Sequence, residues 1–148
     1  MRGGSLTGGD RVERCVITEK EIKGVVPPEL LSGRVGAVVT FTGVVRGEEM
    51  GRRVRRMYIE AEEEGAVKSF VKIKEEAMER FGIEDMIIIH RVGYLKVGEA
   101  IVFIAALSSH REEGFRACRF AIDRLKEISP IWKKVYLEGG EQIWIENR

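Results

Sequence analysis

Ala100-Ile101-Val102-Phe103-Ile104-Ala105-Ala106-Leu107 leads directly into Ser108-Ser109-His110-Arg111-Glu112-Glu113, and the chain runs on to Leu125-Lys126-Glu127-Ile128-Ser129-Pro130-Ile131-Trp132-Lys133. The apolar run is short, rich in branched side chains and bounded by Gly98 and Ser108, which predicts a buried strand. Ser109 and Glu112 have capping-box spacing, so a helix is expected to start there. His110 and Arg111 then lie at a helix N-terminus, where unpaired N–H groups and partial positive charge favour anions. Plotted at about 100° per residue, Phe115, Cys118, Ala121, Ile122, Leu125 and Ile128 share one side of a helix over residues 111–128. Lys126 falls at the edge of that side, beside Phe115 and Ile122, where its stem can pack while its amine reaches a cleft. Ser129-Pro130 ends the helix, and Lys133 follows after a short turn. One stretch thus offers an imidazole, a guanidinium and two amines.

The whole chain of 148 residues is long enough for one domain with a substantial core, expected over residues 11–148 behind a flexible tail at residues 1–10. Its 25 basic and 24 acidic residues leave a net charge of +1, which argues against a general nucleic-acid coat. Cys15 and Cys118 have neither metal-ligand spacing nor a CxxC arrangement. Two buried thiols in a cytoplasmic protein, and no metal site, are expected. No apolar run reaches the roughly 18 residues of a membrane span, and the first ten residues lack the apolar core of a signal peptide.

Working outward, residues 11–18 alternate around Val12, Cys15, Val16 and Ile17 and predict a first strand. Pro27-Pro28 opens a short helix or turn through Leu31. Residues 36–46, Gly36-Ala37-Val38-Val39-Thr40-Phe41-Thr42-Gly43-Val44-Val45-Arg46, form a long β-rich run in which Gly43 suggests a bulge or a close backbone approach. Residues 47–51 read as a loop and residues 52–60 as a strand. A helix over about residues 65–81 is stopped by Gly82. A strand over residues 86–92 follows, and residues 93–98 turn back into the run at residues 100–107. Residues 134–137 and 142–145 flank Glu138-Gly139-Gly140-Glu141 as a terminal hairpin. The order βαββαββαββ predicts an α+β domain with mostly antiparallel strands and two main helices.

Four of these pieces, in this order and spacing across roughly residues 12–146, resemble one family: residues 36–46, Ile89-His90-Arg91-Val92-Gly93, Ser108-Ser109-His110-Arg111, and Leu125-Lys126 with Pro130-Ile131-Trp132-Lys133. The chain is similar to the large, catalytic subunit of molybdopterin synthase, the MoaE family. The resemblance implies an α/β hammerhead fold with an added small β-subdomain, and a homodimer. Each protomer would bind a small ubiquitin-like sulfur carrier, giving a heterotetramer. That partner's C-terminal Gly-Gly would carry a thiocarboxylate. Its sulfur would pass to cyclic pyranopterin monophosphate, building the dithiolene of molybdopterin without a cofactor of the enzyme's own. Carried over by position, the substrate-binding residues are Val44, Val45, Arg46, His110, Arg111, Lys126, Lys133, Lys134 and Val135, with Lys126 and Lys133 catalytic. The family's pocket is completed across the dimer.

These residue types suit the chemistry. Arginines such as Arg46 and Arg111 clamp phosphate through paired hydrogen bonds. A lysine crowded by a second cation gives up its proton more readily, so Lys126 is expected to move protons and Lys133 to orient substrate. His110 is expected as a second proton carrier or a phosphate ligand. Structural readings stand beside these. Lys126 in a last helical turn complements the helix dipole whatever its role, Arg46 can be a solvated strand-edge charge, and His110 can be an ordinary first-turn residue. His90, inside an apolar strand, is read as a satisfied structural histidine. Arg52-Arg53-Val54-Arg55-Arg56 lacks the aromatic platforms of a nucleic-acid surface and suits an acidic partner or a flap over phosphate. Phe120, on the polar side of the main helix, hints at a second buried contact, for instance with a second copy or the small subunit. One departure from the family is Glu62-Glu63-Glu64-Gly65-Ala66, where relatives often place an aromatic and then Met-Ala. Two other functions compete: a non-catalytic docking module for a ubiquitin-like sulfur carrier, which needs no amine pair, and a nucleotide-binding regulator, against which the missing GxxxxGK[ST] loop weighs.

Overall fold

The computed structural model describes residues 12–145. The tail expected at residues 1–10 and the outermost ends of the chain lie outside the described residues. The central element is the apolar run of the opening stretch. It forms β7 (Ala100–Ser108), flanked on one side by β5 (Asp85–Arg91) and on the other by β2 (Ala37–Val44), both antiparallel to it. β1 (Cys15–Thr18) adds to the far edge of β5 in parallel, completing a four-stranded sheet.

β7 is apolar throughout because both of its faces are covered. Val102, Ile104 and Ala106 point into the main core under the helices α1 (Glu63–Phe81) and α2 (Arg111–Ile128). Phe103, Ala105 and Leu107 point the other way, into a smaller cluster closed by Ile22, Val26, Leu30 and Val35. That cover includes a 3₁₀ turn at Pro28–Leu30, where the Pro27-Pro28 signal predicted a short helix or turn. Each fully buried Leu or Ile of this strand contributes about 1.5–3 kcal/mol, so the two-sided burial of β7 anchors the sheet.

The second sheet is built on β4 (Arg52–Ala61). It pairs antiparallel with β8 (Ile131–Leu137), with β6 (Gly93–Lys96) and with the two-residue β3 (Glu48–Glu49), and β9 (Gln142–Ile145) adds outside β8. The architecture is α+β with mostly antiparallel strands, as expected. The local pattern predicts a turn at β6 and a loop at β3. Both are strands because β4 is long enough to pair with β8, β6 and β3, a tertiary condition that no local pattern announces.

Helix α1 begins two residues earlier than its apolar periodicity suggests. The Glu62 carboxylate caps it by accepting from the Gly65 N–H at 3.2 Å, and Glu63 and Glu64 occupy its first turn, where acid complements the dipole. The acidic departure from the family pattern is thus a helix start. Gly82, at φ +66°, ends the helix in the left-handed conformation that favours glycine, its N–H donating to Met78 O at 3.0 Å. Asp85 ties three elements together: it accepts from Arg14 Nε at 3.0 Å and lies 3.5 Å from Lys74 Nζ.

Two expectations are corrected here, and two other groups find partners within the chain. The cap of α2 is His110 with Glu113, whose carboxylate accepts the His110 N–H at 3.3 Å; Ser109 Oγ donates to the Arg34 carbonyl instead. Phe115 is 61% exposed, because α2 packs on β7 and β2 through Gly114, Ala117, Cys118, Ala121 and Leu125, a stripe rotated away from it. Phe120 makes the second buried contact expected of it, and makes it with α1: it packs edge-on against Phe81 with centroids 5.5 Å apart, and the Arg80 guanidinium lies 4.8 Å from its ring. Three of the four arginines in residues 52–56 likewise have partners within the chain. Arg52 pairs with Glu141, Arg53 lies 3.8 Å from Glu138, and Arg56 stacks between Tyr94 and Tyr136 at 4.7 and 4.6 Å.

Candidate active site

At the end of β2 the register with β7 slips. Gly43 faces Val102 but Val44 faces Ala100, leaving Ile101 as the extra residue of a bulge. The approach is also close, since a Cβ on Gly43 would stand 3.1 Å from Val102 Cγ1. Both features expected of Gly43 are therefore present. Bulges twist a strand and re-aim its side chains. Val44 and Arg46 consequently face a cavity, while Val45 turns into the core at 1% exposure. Val45 N–H donates to Glu99 O at 3.0 Å and its carbonyl accepts from Gly98 N–H at 2.9 Å, which locks this strand end in place.

The cavity holds about 560 Å³ and opens where the two sheets meet beside the last turns of α2. Val44, Met57, Val102, Leu125 and Val135 form apolar walls. Three cationic side chains reach it from three separate elements: Arg46 after β2, Lys126 from the last turn of α2, and Lys133 from β8. One carboxylate, that of Glu49, accompanies them; it is 7% exposed and lies 3.4 Å from Arg46 Nη2. Three cations against one carboxylate, beside an apolar wall, suit an anion carried on a flat organic body.

His90 also lines this cavity, from β5. Its ring is fully buried, and Nδ1 lies 2.8 Å from the Arg91 carbonyl. Burial, reinforced by the charge of Lys133, pushes its pKa down to about 4 against the pull of that hydrogen bond, so the ring is neutral near pH 7. The expectation of a structural histidine holds for Nδ1. Nε2, however, has no partner among the described residues. Inside an apolar strand this residue gave no sequence signal of a place in the site.

The remaining expected site residues fall elsewhere. His110 and Arg111 stand at the opposite end of α2, in a shallow surface depression with Gly36, Ala37 and Phe115. At 1.5 Å per residue this is about 24 Å from Lys126 along the helix axis. The His110 side chain is 84% exposed, with Nδ1 3.6 Å from Glu113 Oε2. The Glu113 carboxyl is held below its usual range, first by a backbone N–H and then by His110. Lys134 leaves the cavity because β8 alternates: Lys133 and Val135 face inward, while Lys134 Nζ sits 5.0 Å from the Trp144 ring and 5.5 Å from that of Tyr136. Glu49 and Met57 join the lining without having been anticipated. The only local hint of Glu49 was its spacing of three residues from Arg46.

Neither thiol is poised for nucleophilic work. Burial pushes both Cys15 and Cys118 up to about 11, and Cys118 is buried while Cys15 is half-buried. Among the described residues, no group of three or more His, Cys, Asp or Glu side chains is placed to hold a metal ion, and no helix is long and apolar enough to cross a membrane.

A family model described as MoaE protein matches residues 17–128. The molybdopterin synthase catalytic subunit of Pyrococcus abyssi is 41% identical over 115 residues, covering 78% of this chain and 77% of that one. The crystal structure of molybdopterin synthase from Staphylococcus aureus superposes with a TM-score of 0.81 at 33% identity, over 91% of this chain and 98% of the other. A protein–protein complex of subunits 1 and 2 of the molybdopterin-converting factor from Helicobacter pylori shares the fold, with a TM-score of 0.71 at 20% identity over 90% and 92% of the two chains. With the family model covering most of its length and the cavity cations on the residues that carried the resemblance, this chain belongs to the MoaE family of molybdopterin synthase catalytic subunits.

Proposed function

We propose that this chain is the catalytic subunit of a molybdopterin synthase. In two successive transfers, each from the C-terminal Gly-Gly thiocarboxylate of a small ubiquitin-like subunit that leaves as the carboxylate, it directs two sulfurs onto cyclic pyranopterin monophosphate, making the dithiolene. The observation that carries the reading is the convergence of Arg46, Lys126 and Lys133 on one apolar-walled cavity. Arg46 takes the phosphate, which its fork of N–H donors matches. Lys126 transfers protons as sulfur adds to the pterin side chain. Lys133 orients the substrate and stabilises developing oxyanion charge. The nucleophilic sulfur arrives with the partner, so this chain needs no activated thiol of its own. The cytoplasm, where free thiols persist, suits it.

His110 and Arg111 enter this proposal through a second copy of the chain. The length of α2 keeps them from the Lys126 cavity of their own protomer, so they serve the partner protomer's cavity in a homodimer. Two small subunits, one per protomer, complete a heterotetramer; the subunit complex from Helicobacter pylori supports a partner of that kind.

Single-turnover sulfur transfer tests the reading. Wild type mixed with a thiocarboxylated small subunit and the cyclic pyranopterin is expected to form dithiolene product, and Lys126→Ala to stall while still binding the small subunit. Wild type that binds the small subunit without forming product would leave a docking module in place of an enzyme.

A further inference from the structure

We infer that His90 is a substrate-binding residue: at the buried end of the cavity, the Nε2 lone pair accepts a hydrogen bond from an N–H group of the pterin. This rests on the reading of the cavity as the pterin site. The first step is the tautomer. A carbonyl oxygen only accepts, so the 2.8 Å contact with Arg91 O requires the proton on Nδ1. A neutral imidazole carries one N–H, and burial together with the Lys133 charge keeps this ring neutral. Nε2 is therefore an acceptor held in one orientation by the β5 backbone.

The second step is that Nε2 is buried and has no partner among the described residues, while His90 lines the cavity. A buried polar atom left in that state costs free energy unless a ligand meets it. The third is complementarity. In their charged forms Arg46, Lys126 and Lys133 donate, and the Glu49 carboxylate lies against Arg46. A pterin has ring and exocyclic N–H groups as well as a phosphate. The cations serve the phosphate, the apolar walls serve the ring faces, and the N–H edge needs a neutral acceptor. His90 supplies it. Glycine N–H groups of the incoming Gly-Gly tail are the competing donors. Full burial of His90 favours the ligand that lies deepest in the cavity.

The test separates the two ring nitrogens. In His90→Asn the amide nitrogen replaces Nδ1 and can still donate to Arg91 O, but nothing replaces Nε2. In His90→Gln the side-chain oxygen reaches the Nε2 position and can accept. Calorimetric titration of the full-length protein with cyclic pyranopterin monophosphate is expected to show affinity about tenfold weaker for His90→Asn, with His90→Gln recovering most of it. The chain has only two histidines, so ¹⁵N-histidine labelling with His110→Ala as the assignment control follows His90 Nε2 directly in folded protein. Its resonance is expected to move when the pterin is added and to stay in place with the small subunit alone. Equal losses in both variants, an Nε2 resonance unmoved by bound pterin, or one moved by the small-subunit tail instead would overturn this inference while leaving the functional reading intact. Wild type that fails to bind the pterin at all would overturn both.

Discussion

Acidification should destabilise this protein through His90 in a way that one substitution removes. The folded-state pKa of about 4 lies below the ordinary value of 6.5, so the unfolded chain binds the proton first. The stability linked to this ring is complete above about pH 6.5 and drains as pH falls towards 4. The two values differ by about 2.5, and each pKa unit corresponds to about 1.36 kcal/mol, so the full effect is about 3 kcal/mol. Between pH 8 and pH 5 the linkage relation gives about 2 kcal/mol of it. No discount for solvent screening applies, because the ring is fully buried. The assay is urea unfolding of wild type and His90→Gln at a series of pH values and one protein concentration, followed by the fluorescence of Trp132 and Trp144. Contributions common to both proteins cancel in the difference. Wild type should lose about 2 kcal/mol relative to the variant on going from pH 8 to pH 5, with unchanged m-values. Parallel stability curves over that range would refute the claim that a neutral, desolvated imidazole sits at this point of β5.

Three further outcomes test the geometry. Gly114→Ala should destabilise the fold by about 1–2 kcal/mol in thermal unfolding, although alanine is the better helix former by about 1 kcal/mol: its Cβ would stand 2.7 Å from Ser108 Oγ and 3.0 Å from Val39 Cγ2, and Ser108 Oγ is held by donating to His110 O. Lys133→Ala should lower single-turnover sulfur transfer at least tenfold, whereas Lys134→Ala, on the opposite face of β8, should leave it within about twofold and cost only its contacts with Tyr136 and Trp144. Arg111→Ala and Lys126→Ala should each be inactive alone, but co-refolded in equal amounts they should recover about a quarter of wild-type activity, because half the dimers are mixed and each mixed dimer has one intact site; no recovery would refute a site shared between protomers.

The fold was legible where local pattern and tertiary role coincide. The residues of β7 read as strand because two-sided burial leaves an uninterrupted branched run, and α2 because its apolar positions recur at helical spacing. Legibility failed where the partner decides. Gly93-Tyr94-Leu95-Lys96 has glycine and turn character, and becomes β6 only because β4 lies alongside it. The cap moved by one residue because Ser109 and His110 both stand three residues before a glutamate, and Arg34 on a distant loop claims the Ser109 hydroxyl.

The site was legible in its chemistry and less so in its grouping. Arg46, Lys126 and Lys133 were identified one by one, and the structure brings them together because a bulge at Gly43, the end of α2 and the inward face of β8 meet at one corner. Strand alternation alone could have removed Lys134, since a cavity that takes Lys133 and Val135 from β8 receives the side chains on either side of it. Helix length could have separated His110 and Arg111 from Lys126, for a helix of 18 residues cannot bring its two ends to one small ligand. His90 was beyond reach for a different reason. Its sequence neighbours are those of a core strand, and its backbone hydrogen bond is that of a structural histidine. What distinguishes it is the second ring nitrogen, and whether that atom meets packed side chains or a cavity depends on how β8 and α2 stand against β5. The part of a site that reads charge can therefore be found from residue type, whereas the part that reads neutral donors waits on the packing around it.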